Sequence, residues 1–500
     1  MRKRVLAKFA ERGALLQPAA LEYILSQPDP FALSDKVLAR EAENRLLYTL
    51  KDVKQTVVSE EAPSPLRTPS SSEVPSQSSG EVSASEKQKL RTGSGPVILK
   101  DVTGNSTCCG QLQDFVGYFG DRMRRLRGLL RQRRELTGAV SISALKGRKH
   151  DNEVRTIGMV VDIRRTAGGR IIADIEDETG RISVLLPEDN GRKRINLMRD
   201  EVVGVGGVLG PDGNIIYVRN LVRPELPLAQ EPHTALDPIC VAFISDIHVG
   251  SRTFLEREWR SFIRWLKGIE GPSQEWAQRL EYLVICGDTV DGIGIYPGHE
   301  EDLVIKDVYR QYQELAEMLK EVPDRIRIIM MPGNHDAVRP AEPQPTFPAE
   351  IRRLFDSSIT FTGNPCLFRL EGVEVLAYHG MSIADFVSSI PNLSFSKPLE
   401  AMKEMLRRRH LSPVFGDKTP IAPESRDWMV VDTIPDIFVT GHVHSAAIEN
   451  FRGVTLINAS AWQSQTEYQR MMNFQPMPAR VALVNLQTMA SKTICFMEEG

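Results

Sequence analysis

The sequence predicts a multidomain α+β protein, on three observations. A stretch of short strands and turns runs from Val154 to about Val222, a chemically distinct second half consists of apolar runs that stop at polar clusters, and a Ser/Pro-rich interval separates both from a helical start. The length agrees, since 500 residues at roughly 150 per domain suggest about three domains. Apolar residues at 41% and charged residues at 25% are the balance of a globular protein and exclude a disordered chain or a fibre.

Taken in order, residues 1–52 carry apolar positions at helical spacing (Val5, Phe9, Leu21, Ile24, Leu25) punctuated by Pro18, Pro28 and Pro30, which predicts a small helical module. Residues 53–95 follow as a flexible linker: between Ser59 and Ser94 lie eleven serines and four prolines and no aromatic residue, too little apolar surface to offset ordering. Residues 96–150 form a connecting segment with seven arginines between Arg122 and Arg134, interleaved with Met123, Leu126, Leu129 and Leu130. That pattern is an amphipathic basic helix, whose charged face either meets solvent or grips a phosphate backbone. Residues 151–230 read as short alternating strands joined by Gly-rich and Asp-Gly turns, a small Greek-key barrel whose length and strand order resemble an OB-fold. Basic and aromatic residues are not concentrated there, so an interaction or scaffolding role competes with single-strand binding.

Charge and cysteine usage bound the function. Lys plus Arg at 62 against Asp plus Glu at 65 leaves −3, which excludes a chain-wide electrostatic grip on nucleic acid. Any anionic ligand must be held by local basic patches or by metal. Six scattered cysteines form neither a disulfide framework nor a CxxC knuckle, which predicts a reducing, cytoplasmic setting. Lys8, Glu11 and Arg12 interrupt the first apolar stretch, and no run approaches 18 apolar residues, so neither a signal peptide nor a membrane span is expected.

The chemistry concentrates in residues 231–500. Five apolar runs, 240–248, 282–291, 327–336, 373–380 and 436–444, each read as a buried strand stopping at Asp, Asn or His, where ligands collect in open sheets. Five of the nine histidines (His248, His335, His379, His442, His444) fall within these clusters. One such cluster alone would be a structural histidine; five in order are a site. Carboxylates and imidazoles without thiolates suit manganese, iron, zinc or magnesium, and two such ions about 3.5–4 Å apart can clamp a phosphoryl group.

The motifs D246-x-H248, G287-D288-x-x-D291, G333-N334-H335-D336, H379-G380 and G441-H442-x-H444 resemble the full set of the calcineurin-like metallophosphoesterases. The resemblance implies a two-sheet sandwich flanked by helices. It implies that Asp246, His248, Asp288 and His444 hold one divalent ion, and that Asp288 bridges to a second completed by Asn334, His379 and His442. His335 would be the catalytic imidazole, oriented by Asp336; manganese is the most favoured metal. The flanks GDTVDGIGIYPGHE (287–300), MPGNHDAVRPAEPQP (331–345), TGHVHS (440–445) and INASAWQSQTEYQ (457–469), with the order of parts, are similar to the small exonuclease subunits of archaeal family-D DNA polymerases. One departure is His299, where that family is expected to carry glutamine; it adds a metal-competent side chain near the site.

That narrower resemblance implies a two-metal 3′–5′ exonuclease that trims mispaired primer ends for a large catalytic polymerase subunit. Its expected partners are that subunit, primer-template DNA and single-stranded 3′ ends. The alternatives are a non-catalytic scaffolding B-subunit and a stand-alone metallophosphoesterase. Asp291, Tyr296 and Arg339 either structure their loops or touch DNA, and Trp462 is either core or a stacking platform.

Overall fold

A computed structural model describes residues 95–145, 153–187, 196–471 and 473–497, together with positions 5, 8, 15–16, 18–25, 27, 29–40 and 47–48. The chain divides into two compact units, Met1–Leu90 and Arg91–Gly500. In the first, β1 (Leu15–Leu16) pairs in parallel with β2 (Leu47–Tyr48), and helices span Pro18–Leu25 and Pro30–Arg40. Pro30 opens the second helix where its missing N–H costs nothing, and Asp29 Oδ1 accepts from the N–H groups of Phe31 and Ala32, both at 3.0 Å. The apolar face closes a small core of Val5, Ala20, Leu21, Ile24, Leu33 and Val37. The Ser/Pro-rich interval 59–94 lies outside the described residues.

The second unit opens with β3 (Val97–Asp101) and a helix, Leu112–Arg131, and continues into a closed barrel. Its strands are β4 (Glu153–Arg165), β5 (Ile171–Asp177), β6 (Gly180–Leu185), β7 (Val202–Leu209) and β8 (Ile215–Val222), ordered β4-β5-β6-β8-β7. The β5–β6 hairpin is fixed by Asp177, whose Oδ1 accepts from Thr179 N at 2.8 Å and Gly180 N at 3.1 Å. Alternate residues such as Val160, Ala173, Ile175, Val184, Val205 and Ile216 fill the interior.

The arginine-rich helix is a packing element. Met123, Leu126 and Leu130 pack against Ile157, Val202 and Val222 of the barrel and against Val430. Its guanidiniums are matched by carboxylates: fully buried Arg122 donates to fully buried Asp427 at 2.7 Å, Arg125 to Asp432 and Asp121 at 2.8 Å, and Arg127 to Glu178 at 2.7 Å. Arg122, Arg125 and Arg127 are thus engaged in intramolecular ion pairs, whereas Arg124, Arg131 and Arg134 stay exposed.

Beyond the barrel come β9 (Cys240–Ile244), β10 (Leu280–Cys286), β11 (Arg327–Met331), β12 (Thr360–Phe361), β13 (Cys366–Leu370), β14 (Val373–Ala377), β15 (Ile437–Thr440), β16 (Ala447–Phe451), β17 (Val454–Asn458), β18 (Arg480–Asn485) and β19 (Ser491–Cys495). One six-stranded sheet is ordered β12-β11-β10-β9-β18-β19 and a second β16-β17-β15-β14-β13-β3. Strand β3, from the segment read as a connector, is thus the edge of the second sheet. Side chains from both sheets, among them Val241, Phe243, Val284, Phe368, Val375 and Val439, share one core. The opposite faces are covered by helices Glu256–Leu266 and Val308–Lys320 on one side and Ile383–Ser389 and Pro398–Arg408 on the other. Four layers result, helix, sheet, sheet, helix. Each of the five chemistry-bearing strands stops two or three residues before its first polar donor. Because β9, β10 and β11 run parallel, as do β14 and β15, those donors gather at shared sheet ends.

Candidate metal centre

The site is assembled from strained turns. Asp246, His248, Asp288, His442 and His444 all have positive φ, between 48° and 69°, a conformation that side chains with a Cβ rarely adopt. Each such residue costs on the order of 1–3 kcal/mol and persists only where surrounding structure enforces it. Glycine relieves the crowding at one corner: a Cβ on Gly287, itself at φ 92°, would lie 2.5 Å from His379 Nδ1.

All seven residues read as ligands converge here. His444 Nε2 lies 3.4 Å from Asp246 Oδ1 and 3.2 Å from His248 Nε2, and His248 Nε2 lies 3.9 Å from Asp288 Oδ2. On the other side of Asp288, His379 Nε2 is 3.2 Å from its Oδ2 and 3.0 Å from Asn334 Oδ1. Asp246–His248–His444, Asp288–His379–His442, His248–Asp288–His335 and Asp291–His299–His335 each bring one ligand atom per residue within 4.8 Å of the others. Asp288 belongs to two of these groups and stands between them.

The chain also holds the outer nitrogens. His248 Nδ1 is 2.8 Å from Asp291 Oδ1, His379 Nδ1 donates to the Cys286 carbonyl at 2.8 Å, and His444 Nδ1 faces Gln469 Nε2 at 2.9 Å. The two acceptors, the Asp291 carboxylate and the Cys286 carbonyl, keep a proton on Nδ1 and leave Nε2 of His248 and His379 free for a cation, whereas the Gln469 amide is a donor toward His444 Nδ1. Asp246 Oδ1 is buried without a hydrogen-bond partner, an orphan that a divalent ion would satisfy, so the residues present fit the metals that the sequence implies.

Electrostatics agree with a site built for charge. Burial disfavours the Asp246 carboxylate, yet the His248 and His444 imidazoles beside it hold it well below the usual range. Asp288 is likewise buried and is held low by His379 and His335. Burial would lower His379, but Asp288 outweighs it and raises the imidazole to about 10. Burial pushes His442 down to about 4 and also lowers His335.

One expected role moves to another residue. Asp336 does not aim at His335: its carboxylate accepts from Gly333 N at 2.8 Å, from Tyr312 Oη at 3.0 Å and from Thr289. Burial and the Asp288 charge raise it to about 6. His335 Nδ1 instead donates to the backbone carbonyl of Asp291 at 2.8 Å and lies 3.7 Å from Asp291 Oδ1. The sequence paired His335 with its neighbour, whereas the turn points Asp336 inward to pin the loops after β10 and β11. Asp291 is the residue the sequence underweighted, and the second aspartate of GDxxD was its signal.

The remaining candidates separate. Arg339 is consumed by the Ala341 and Pro343 carbonyls, Ser106 and Glu424. Trp462 is fully buried against Trp259 and Phe262 and is core. His299 is buried beside Asp291, with Nε2 3.5 Å from Oδ2, and Tyr296 remains partly exposed. Among the described residues no helix is long and apolar enough to cross a membrane.

Residues 241–448 match the family of DNA polymerase alpha/epsilon B subunits. The chain is 44% identical over 388 residues to the DNA polymerase II small subunit of Archaeoglobus fulgidus, covering 77% of this chain and 78% of that one. It is 36% identical over 488 residues to the counterpart in Methanothermobacter thermautotrophicus, covering 96% and 97%. Among solved structures, an archaeal phosphodiesterase aligns over 51% of this chain and 99% of its own at 12% identity and a TM-score of 0.27, too distant to bear on the assignment. Sequence identity of this extent, over nearly the whole length, shows that the chain belongs to the small-subunit family of archaeal DNA polymerase II.

Proposed function

We propose that this small subunit carries a two-metal 3′–5′ DNA exonuclease that removes mispaired primer ends. The observation that carries the reading is the convergence of six further candidate donors around Asp288, with Asp246 Oδ1 buried and unpartnered among them. Asp246, His248, Asp288 and His444 would hold one divalent ion; Asp288, Asn334, His379 and His442 would hold the other. Manganese is the expected metal. When bound, the two ions supply the positive charge that a phosphodiester and an attacking water both need.

The chain's own groups do the rest. Asp288 sets the spacing of the two halves, while Asp291 orients His248 through Oδ1 and His335 through its carbonyl. With His335 Nδ1 donating to that carbonyl, Nε2 is the atom left to face the reacting group, and it would give a proton to the leaving 3′ oxygen only from the imidazolium, in which both nitrogens carry one. The barrel, in which the fifth strand lies between the third and the fourth, is read as an OB-fold, and it forms with the sandwich the docking body for a large catalytic subunit. The domain limits are proposed at 1–52, 53–95, 96–150, 151–230 and 231–500.

The test is direct. The purified chain is incubated with single-stranded and mismatched primer DNA, with and without manganese, and products are resolved by length. Stepwise 3′ shortening that His335→Ala abolishes while metal content persists supports the reading. Two bound metals without cleavage, alone or with the large subunit, would leave a scaffold.

A further inference from the structure

In the segment joining β10 to helix Val308–Lys320, the stretch from Asp291 to Pro297 presents three apolar side chains to solvent: Ile293 at 38%, Ile295 at 39% and Tyr296 at 40% exposure. It is firmly held. The fully buried Gln311 side chain accepts from Gly292 N at 2.9 Å and donates to the carbonyls of Gly292 at 3.0 Å and Ile305 at 2.8 Å, closing both ends of the loop. Tyr296 is fixed within it. Its hydroxyl donates to Asp302 Oδ2 at 2.7 Å, and its ring centre lies 4.4 Å from that of His299. His299, 1% exposed, accepts from Ile295 N–H through Nδ1 at 3.3 Å, and its ring centre is 5.9 Å from that of His335. One imidazole therefore lies between Tyr296 and the proposed catalytic imidazole.

Charge decides what such a surface can take. No lysine or arginine lies between Gly292 and Ile305, whereas Glu300, Glu301 and Asp302 do. A phosphate backbone would be repelled there; an uncharged nucleobase would not. A tyrosine already immobilised loses little freedom on contact, and every base offers a face to an aromatic ring. We infer that Tyr296, flanked by Ile293 and Ile295, is the platform on which the unpaired 3′-terminal base stacks while its phosphodiester lies at the metal centre. This rests on the nuclease reading and deepens it. A base held in a duplex cannot reach the ring, so the platform selects frayed or mismatched ends.

The experiment separates binding from cleavage. The full-length chain carrying His335→Ala is titrated, with manganese, into a single-stranded oligonucleotide ending in 2-aminopurine, whose fluorescence falls on stacking. Tyr296→Ala in that background should abolish the quenching, and Tyr296→Phe should keep most of it. In the otherwise unaltered chain, Tyr296→Ala should raise KM for the single strand roughly 5- to 100-fold with kcat little changed. The same substitution should leave KM unchanged for an oligonucleotide ending in an abasic site. Quenching that is absent from the parent or survives Tyr296→Ala overturns the platform, and so does an equal KM penalty on the abasic end. Normal Tyr296-dependent quenching with no cleavage by the unaltered chain would instead remove the nuclease reading and leave the base site standing.

Discussion

Asp288 is the residue on which most of the centre depends, since its carboxylate lies within ligand distance of histidines on both sides and is kept charged by them. Asp288→Ala is expected to bring metal content below two per chain by elemental analysis and to abolish cleavage, because both cations lose the charge they share. Asp291→Ala should act more gently. It leaves the inner nitrogens in place but frees His248 to rotate, so metal affinity should fall about 10- to 100-fold in a competitive chelator titration. Unchanged affinity would assign His248 its orientation from packing alone. The five polar clusters are legible in the sequence because each follows an apolar run within a few residues, and the choice of seven candidate donors among them comes from the resemblance to the metallophosphoesterase motifs. The orienting contact was not legible, because adjacency in the chain pairs His335 with Asp336 while the turn directs that carboxylate to Gly333, Thr289 and Tyr312.

For the elements, the arginine-rich helix is the instructive case. Its amphipathic spacing specifies a helix with an apolar seam, but seven arginines say nothing about which carboxylates receive them. Two of the partners, Asp427 and Asp432, are some three hundred positions away in the chain. Burial disfavours the Asp427 carboxylate, yet His410 and Arg122 hold it below its usual range. A carboxylate lowered on folding stabilises fully above its unfolded value of about 4, and that contribution is lost as pH falls, when the unfolded chain binds the proton more readily. Asp427→Asn should therefore cost about 3–5 kcal/mol at neutral pH, because Arg122 is left as a buried unpaired charge. In urea unfolding across pH, the variant should show a shallower acid limb below about pH 4 than the parent. A cost under about 1 kcal/mol would mean that solvent reaches Arg122.

For the whole molecule, every donor of the metal centre and every strand of barrel and sandwich lies in the unit Arg91–Gly500. Deleting residues 1–90 is expected to leave metal content, unfolding midpoint and cleavage of the remainder unchanged. Loss of cleavage by a folded, metal-loaded truncation would make the first unit part of the site. The net charge of −3 gives the isolated chain little general attraction for a polyanion. Titration of labelled primer-template at one fixed salt concentration should accordingly show weak binding by this chain and much tighter binding by its complex with the proposed large subunit. Equal affinities would indicate a self-sufficient DNA-binding subunit.

By itself the sequence determined the buried strands and the polar clusters at their ends, because a buried strand reads as an apolar run and the candidate donors interrupt it at its end. It also determined the barrel's strands, through alternation and turn residues. Only the tertiary structure decided that the Asp291 carbonyl receives His335, which acids pair with Arg122, Arg125 and Arg127, and that β3 edges the second sheet. Those are pairings between residues distant in the chain. Periodicity reports how one segment meets its own surroundings, and it carries no record of which partner the fold brings to that face.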